Sequence, residues 1–436
     1  MRQGGPPTIF AKSSGSGRAG VAVFRLSGIR AREVGEQLSG GVLVPRQASW
    51  RQLKGENRQP IDDAIVIFFE GPKSFTGEDV VELHTHGSVA VERRLISALI
   101  DLGLTPAEPG AFTARALQNG RMDLLEVEAL GDLLDAETEG QRAQAIAIRE
   151  GEAGAQEASW RDGLIAALGS LEAAIDFPDE EDIPAEIAER AVPYLSGVAE
   201  SMRTVLRTAS RGQRLREGID LALIGAPNAG KSSILNRLLG EERAIVSDRP
   251  GTTRDIVSER IEISGRLVNI LDTAGLRDET EDDIEREGMS RSLKAAMRAD
   301  IVVRVNAPGA GHFAMPALSP GTHIINIRNK SDIVEIDGHG IAVSAKTGAG
   351  WDDLMEALES AVEEKAAPSL FPRERQQALI QLALDYIERV LENQTAAPEL
   401  LADDIRGCLS ALDQLVGRVT PDDVLGSIFA SFCVGK

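Results

Sequence analysis

Gly225-Ala226-Pro227-Asn228-Ala229-Gly230-Lys231-Ser232 is the stretch on which the reading of this chain turns. It follows the β run Asp220-Leu-Ala-Leu-Ile224, apolar from Leu221 on, and precedes a helical run over residues 233–239. A turn of the form GxxxxGK[ST] between strand and helix aims several backbone N–H groups at one point, at the positive end of the helix, where an anion binds. Lys231 then reaches the β- and γ-phosphates of a nucleotide, and the Ser232 hydroxyl ligates Mg²⁺, with Ala229, Gly230 and Ser233 alongside. The pattern can also arise as a glycine-rich turn, so its neighbours decide.

Those neighbours sit after strand-like runs. Asp272-Thr273-Ala274-Gly275 follows residues 267–271, where a Mg²⁺-associated Asp belongs, and Gly275 offers an N–H to the γ-phosphate. Asn329-Lys330-Ser331-Asp332 follows residues 323–327; a carboxylate there accepts from the ring N–H and exocyclic amine of guanine, an amine adenine lacks. Ser344-Ala345-Lys346 follows residues 341–343 and supplies a backbone N–H to the guanine carbonyl. Gly251-Thr-Thr-Arg-Asp255 lies between helix and strand, where a switch belongs, with Thr253 as second Mg²⁺ ligand. With another β run at 301–305, the alternation predicts a doubly wound parallel sheet. The residue after Asp272-Thr-Ala-Gly275 is Leu276, which cannot orient water as a Gln would. Asp278, Glu279, Glu281, Asp282, Asp283 and Glu285 follow; one of them can position the attacking water, or the stretch is a solvated acidic face. The Asn228 side chain can help bind a monovalent cation, which would supply the charge of an arginine finger.

Outward from the nucleotide region, composition divides the 436 residues. Residues 1–120 alternate strand-like stretches (20–26, 64–69) with glycine-rich turns and one helical stretch near 90–102, an α+β pattern. Residues 121–214 are rich in Ala, Leu and Glu, with Leu124, Val127, Leu130 and Leu134 at helical spacing. Pro178 and Pro184 interrupt that pattern, which predicts at least three helices. Asp176, Asp179, Glu180, Glu181 and Asp182 between them read as a solvated loop. The nucleotide domain spans 215–371 and helical character returns over 372–436. The expected architecture is multidomain, α+β and α/β, with the nucleotide domain inserted into a discontinuous all-α domain.

Net charge is −21, against a protein devoted to wrapping nucleic acid. Apolar content of 42% supports a sizeable core, yet no apolar run approaches the roughly 18–20 residues that span a bilayer. The N-terminus lacks an apolar signal core and the chain has only Cys408 and Cys433. A cytoplasmic address with no membrane partner is expected.

Further motifs lie outside the nucleotide region: Gly17-Arg-Ala-Gly-Val-Ala-Val-Phe-Arg-Leu-Ser-Gly28, Phe75-Thr-Gly-Glu-Asp-Val-Val-Glu-Leu-His-Thr-His-Gly87, Pro109-Gly-Ala-Phe-Thr-Ala-Arg-Ala-Leu117, Asn119-Gly-Arg-Met-Asp-Leu124 and Phe432-Cys-Val-Gly-Lys436. With them the chain closely resembles, over almost its full length, the MnmE (TrmE) family of tRNA-modification GTPases. The resemblance implies an N-terminal folate-binding and dimerisation domain, a discontinuous helical domain and an inserted Ras-like P-loop domain whose GTP hydrolysis is stimulated by K⁺ and by pairing of nucleotide domains. It implies a homodimer that works with the FAD protein MnmG (GidA), an NADH user. Together they add an aminomethyl or carboxymethylaminomethyl group to carbon 5 of the wobble uridine of certain tRNAs, drawing on a tetrahydrofolate one-carbon unit.

By motif, the resemblance carries the K⁺ site onto Asn228, Ser247, Arg249 and Thr252, the Mg²⁺ ligands onto Ser232 and Thr253, and the catalytic carboxylate onto Glu285. Ser247 and Thr252 thereby join the nucleotide set. It places Arg25, Glu82, Arg121 and Lys436 around 5-formyltetrahydrofolate, with Cys433 beside it as a catalytic thiol. The chain departs from the family pattern in Arg121 for Lys, which changes donor geometry, in Asp248-Arg-Pro-Gly251 for Asp-Ile-Ala-Gly, and in His84-Thr-His86 for Gln-Gly-His. Read from the residues alone, Arg25 lines the wet face of a strand, Glu82 stabilises the fold, Cys433 is an inert thiol and the histidines belong to strand or turn. An assembly factor would carry a basic RNA-binding appendage, and no flanking basic tail is present; a stand-alone folate-dependent transferase would need no flavoprotein. Gly435 makes the terminus flexible, while apolar Phe429, Phe432 and Val434 predict that Phe432 packs on the helical domain and aims Cys433 and Lys436 at the folate pocket.

Overall fold

The computed structural model describes residues 6–55, 58–176, 183–240, 245, 259–271, 293–311, 313–333, 339–419, 422–430, 432 and 435. The chain forms two compact units, residues 1–131 with 413–436, and residues 132–412.

In the first unit, β1 (Ile9–Lys12), β2 (Ala19–Ser27), β3 (Ser49–Lys54), β4 (Pro60–Phe69), β5 (Val80–Gly87) and β6 (Thr105–Pro106) form one sheet in the order β3-β4-β5-β2-β1-β6. Its neighbours are antiparallel except for the β1–β6 pair. Side chains alternate across a strand, so Ala22, Phe24 and Leu26 of β2 enter the core with Val81 and Leu83 of β5. Val34 and Leu38 of α1 (Ala31–Ser39) and Leu95 and Leu99 of α2 (Val89–Asp101) cover that face. Ser88 caps α2 by accepting from the Val91 N–H, so the helix starts where the sequence anticipated. On the opposite face Phe112, from α3 (Ala111–Gln118), packs with Ile9, Ala11 and Phe75. α4 (Leu124–Asp135) follows.

The second unit holds α5 (Glu139–Arg149), α6 (Glu152–Asp176) and α7 (Ile183–Glu217) before the nucleotide domain. α6 ends at Asp176 and α7 begins at Ile183, on either side of the stretch where Pro178 and Pro184 predicted an interruption, and two further breaks lie upstream of it. Thr138 and Gln141 build a capping box that starts α5, and Gly151, at φ +93°, separates α5 from α6. Pro184 stands in the first turn of α7, where its missing N–H costs nothing, and Pro193 lies inside the same helix. Residues 177–182, where an acidic loop was expected, lie outside the described residues.

The nucleotide domain comprises β7 (Ile219–Ile224), α8 (Lys231–Gly240), β8 (Glu259–Ile263), β9 (Arg266–Ile270), β10 (Ile301–Asn306), β11 (His323–Arg328), β12 (Ile341–Ala342) and α9 (Trp351–Lys365). Sheet order is β12-β11-β10-β7-β9-β8, parallel except for the antiparallel β8–β9 hairpin. The runs named from the sequence pair in parallel, and β8, which the sequence reading did not name, adds an antiparallel strand at one edge. There Ser264 and Gly265 both take positive φ, as a two-residue hairpin turn needs. β7 is buried on both faces: Leu221 and Leu223 meet α8 and α9, while Ala222 and Ile224 meet Ala296 and Phe313. That double burial explains the unbroken apolar run Leu221–Ile224.

α10 (Glu374–Glu392) and α11 (Pro398–Val416) follow. The two places where the chain passes between helical part and nucleotide domain lie side by side. Gln144 of α5 donates to the Gly212 carbonyl at 3.3 Å and accepts from the Ser369 N–H at 2.9 Å. Gly212 sits so close that any Cβ on it would collide with Ser369. Trp160 of α6 stacks on Phe371 with centroids 5.4 Å apart.

α12 (Asp422–Ala430) belongs to the first unit. Phe429 lies against Gly110 at the start of α3, and buried Phe432 lies beside Gly131 of α4. Gly435 is buried at φ +99°, its carbonyl accepting from Ser13 Oγ at 3.0 Å. A Cβ there would strike the Lys12 carbonyl. The glycine serves close approach to β1, not the flexibility its type suggested. Among the described residues no helix is long and apolar enough to cross a membrane.

Candidate functional site

The order of strands puts β7 between β9 and β10, the switch point of an open α/β sheet, and ligands bind at the carboxyl ends of strands there. Residues 225–230 leave β7 at that end and run into α8, which begins at Lys231. Glycine is required inside this loop. Gly225 passes so close to the Val305 carbonyl of β10, and Gly230 so close to the Asn329 amide, that a side chain at either would collide. Asn228 adopts φ +60°, a region Asn tolerates. Its side chain is exposed, with no intramolecular partner among the described residues. Lys231 Nζ donates to the Gly225 and Ala226 carbonyls at 3.0 and 3.1 Å, which folds its charge over the loop that would hold phosphate. Ser232 and Ser233 follow in the first turn of α8.

Asn329 fastens the next loop to this one. Its Nδ2 donates to the Ala229 carbonyl at 2.9 Å and its Oδ1 accepts from the Ala345 N–H at 3.1 Å. One side chain thus ties the phosphate loop to Ser344-Ala345-Lys346. Lys330, at φ +65°, donates from Nζ to the Asn228 carbonyl at 2.7 Å. Asp332 Oδ1 accepts from Ser344 Oγ at 2.6 Å, and Ser344 Oγ accepts from the Thr347 N–H at 3.1 Å. The Ser344 hydroxyl, ahead of the charge of Lys346, holds the Asp332 carboxyl below its ordinary range. Asp332 is therefore an ionised, exposed acceptor.

The backbone donors of the last loop can be followed one by one. The N–H groups of Ser344 and Gly348 serve the Ala349 and Ser344 carbonyls, that of Ala345 serves Asn329 and that of Thr347 serves Ser344 Oγ. Lys346 N–H has no acceptor among the described residues, which leaves it open to a ligand carbonyl. The sequence named the loop but not the donor, because the difference lies in which N–H groups the fold has already used.

Ser247, Arg249, Thr252, Thr253, Asp272, Thr273, Ala274, Gly275 and Glu285 lie outside the described residues, as do Cys433 and Lys436. The other cysteine, Cys408, is buried, and burial pushes its thiol up to about 12, so it is inert at neutral pH.

In the first unit, Arg25 of β2 stands opposite Glu82 of β5 in the sheet register. Arg25 Nη2 and Nε donate to Glu82 Oε1 at 2.9 and 3.2 Å, and each side chain is 17% exposed. The guanidinium lies 5.1 Å from the Phe75 ring centre and 5.9 Å from that of Phe112. Glu82 Oε2 is 3.2 Å from His84 Nε2, and His86 Nδ1 is 2.8 Å from Asp62 Oδ1, which raises the imidazole pKa. These pairings place the two histidines beside different carboxylates, Glu82 being shared with Arg25. Arg121 is exposed, its aliphatic stem packed over Gly77 at φ +79°, so it does not share the Arg25–Glu82 contact. Among the described residues no His, Cys, Asp and Glu cluster is arranged to hold a metal.

Comparison with known proteins gives this geometry a relation. The MnmE helical domain family matches residues 124–433, and the family described as GTP-binding protein TrmE N-terminus matches residues 8–121. The chain is 43% identical over 444 residues to a tRNA modification GTPase MnmE of Methylobacterium radiotolerans, covering 98% of this chain and 99% of the relative. The protein of that name from Azorhizobium caulinodans is 43% identical over 435 residues, covering 98% and 99%. That from Roseobacter denitrificans is 41% identical over 434 residues, covering 98% and 100%.

Proposed function

The chain belongs to the MnmE family of tRNA modification GTPases, and from that premise we propose that it hydrolyses GTP in the service of wobble-uridine modification in the cytoplasm. The Asp332–Ser344 pair carries the nucleotide reading: it presents an ionised acceptor for the two donors of guanine beside the open Lys346 N–H. Asn228, Ala229, Gly230, Lys231, Ser232 and Ser233 hold the phosphates; Asn329, Lys330, Asp332, Ser344, Ala345 and Lys346 build the base side. Ser247, Thr252, Thr253 and Asp272 to Gly275 complete the nucleotide set on family grounds. Ser232 and Thr253 hold Mg²⁺. The exposed Asn228 amide fits a donor to K⁺, and Ser247, Arg249 and Thr252 complete that set. The bound cations supply positive charge to the phosphates, and Glu285 orients the attacking water.

The first unit supplies the one-carbon part of the reading. Arg25 and Glu82, set among Phe75 and Phe112, offer a charged donor, a carboxylate acceptor and aromatic faces, a donor set that suits a tetrahydrofolate such as the 5-formyl form. Arg121, Cys433 and Lys436 are assigned to the same ligand from the family pattern. The working assembly is a homodimer with the flavoprotein MnmG, which brings FAD and NADH, and tRNA is the substrate. The product is a 5-aminomethyl or 5-carboxymethylaminomethyl uridine.

Nucleoside analysis of tRNA from a deletion strain tests the whole. The strain should lack the modified wobble uridine and regain it with this chain only when the flavoprotein is present. Restoration without the flavoprotein would favour a stand-alone folate-dependent transferase; an unchanged nucleoside profile in the deletion strain would remove the tRNA role.

A further inference from the structure

Arg237 lies on α8, six residues beyond Lys231, and so on a different face of the helix from the phosphate-binding lysine. Its Nη1 donates to the Ala345 carbonyl at 3.2 Å. Its guanidinium carbon lies 5.1 Å from the ring centre of Trp351, which opens α9 and is 4% exposed. Gly348, at φ +90°, lies so near the same guanidinium that a Cβ there would collide with Nη2. The cation is thus held between an indole face and a bare stretch of backbone. An indole face attracts a guanidinium, and a charged donor on a carbonyl makes one of the stronger hydrogen bonds.

Ala345 is therefore gripped at both ends. Its N–H is held by Asn329 Oδ1 and its carbonyl by Arg237. The Arg237-held carbonyl belongs to the same peptide plane as the Lys346 N–H, the donor left open. A peptide group is planar, so fixing the oxygen fixes the direction of that N–H. We infer that Arg237, seated on Trp351, is a positioning residue for base selectivity, aiming the Lys346 N–H at the 6-carbonyl of guanine. The inference rests on the reading of Ser344-Ala345-Lys346 as the base-facing loop.

The test uses the full chain, the variants R237M and R237K, and two nucleotides: guanosine diphosphate and the diphosphate of 2,6-diaminopurine riboside. The second keeps the 2-amine, loses the ring N–H that Asp332 accepts, and replaces the 6-carbonyl by an amine, which meets the Lys346 N–H donor to donor; only this last difference depends on Arg237. Dissociation constants come from fluorescence competition, and steady-state GTP hydrolysis gives KM and kcat. The native chain should prefer the guanosine nucleotide by about a hundredfold or more. R237M should cut that preference roughly tenfold, the size of one charged hydrogen bond. The loss should fall on guanosine binding and on KM for GTP rather than on kcat. R237K, which can donate but cannot stack as a plane, should recover part of it. An undiminished preference in R237M, or equal weakening toward both nucleotides, would overturn the role of Arg237 alone. A native chain indifferent to the two nucleotides would overturn the base-facing loop and this inference with it.

Discussion

Asp332→Asn should invert base preference, and the reason lies in one serine proton. Ser344 Oγ accepts from the Thr347 N–H and donates to Asp332 Oδ1 at 2.6 Å, so its only proton is committed to residue 332. An asparagine there must offer its carbonyl oxygen to Ser344, which turns its NH₂ toward the base. Guanine then meets a donor where its ring N–H and 2-amine both need an acceptor, whereas xanthine, with a 2-carbonyl, meets a partner. Two charge-assisted hydrogen bonds are lost, each worth about tenfold or more, and a donor–donor contact is added. GTP affinity should fall roughly a thousandfold while xanthosine nucleotides gain, in keeping with the large discrimination of sites built to hydrogen-bond their ligand. Competition binding of GDP and xanthosine diphosphate measures both. The double variant D332N/S344A supplies the decisive control, since without Ser344 the amide is free to turn its oxygen to the base. Part of the guanosine affinity should return. Retained guanosine preference in D332N, or no recovery in the double variant, would show that Ser344 does not orient residue 332.

Other expectations follow from neighbouring contacts. Because Ser344 lowers the Asp332 pKa, the contribution of the ionised pair is full above the ordinary value of 3.8 and disappears only as pH falls through the lowered one; guanosine affinity that declined already on acidification from pH 7 to 5 would contradict this. Lys231→Ala should weaken GTP binding and slow turnover together, since Lys231 lies over the phosphate loop in the ground state, whereas Glu285→Ala should bind GTP normally and hydrolyse it slowly; single-turnover assays separate the two, and full turnover in the Glu285 variant would pass the water to another acid. Gly435→Ala should displace the terminus, because the left-handed backbone costs a side chain about 1–3 kcal/mol and the Cβ strikes the Lys12 carbonyl. Carboxypeptidase should then release the C-terminal residues faster than from the native chain, and equal protection would argue against the clamp.

What the sequence disclosed were the features written in adjacent residues. The loop 225–232 and the strands flanking its companion motifs are local patterns, and β7, β10 and β11 occupy the runs that announced them. Leucine spacing after Leu124 likewise announced helices. Pro178 and Pro184 marked the separation of α6 from α7, whereas the breaks at Thr138 and Gly151 escaped notice because a capping box and a lone glycine are weaker local signals, and Pro193 lies inside α7 without ending it. Gly435 misled because permissive backbone serves flexibility and close approach equally, and the Lys12 carbonyl that decides between them is distant in sequence. The antiparallel edge at β8 was hidden because Ser264-Gly265 is a weak turn signal. Arg237 left no local trace at all; its meaning arises only when α8, Gly348 and Trp351 converge.

Gln144, spanning Gly212 and Ser369, has a consequence for the architecture as a whole. Where a chain leaves a scaffold and returns at touching points, everything between is, for that scaffold, one large loop already closed. Closure entropy grows only with the logarithm of loop length, so a whole domain in that loop adds little more than a short one would. The nucleotide domain is in this sense a cassette. Its interior can be lengthened, shortened or exchanged while α6, α7 and α10 keep their packing, provided both cut ends stay beside α5. The small residue at 212 and the amide at 144 are thus the seam between the cassette and the helices that carry it.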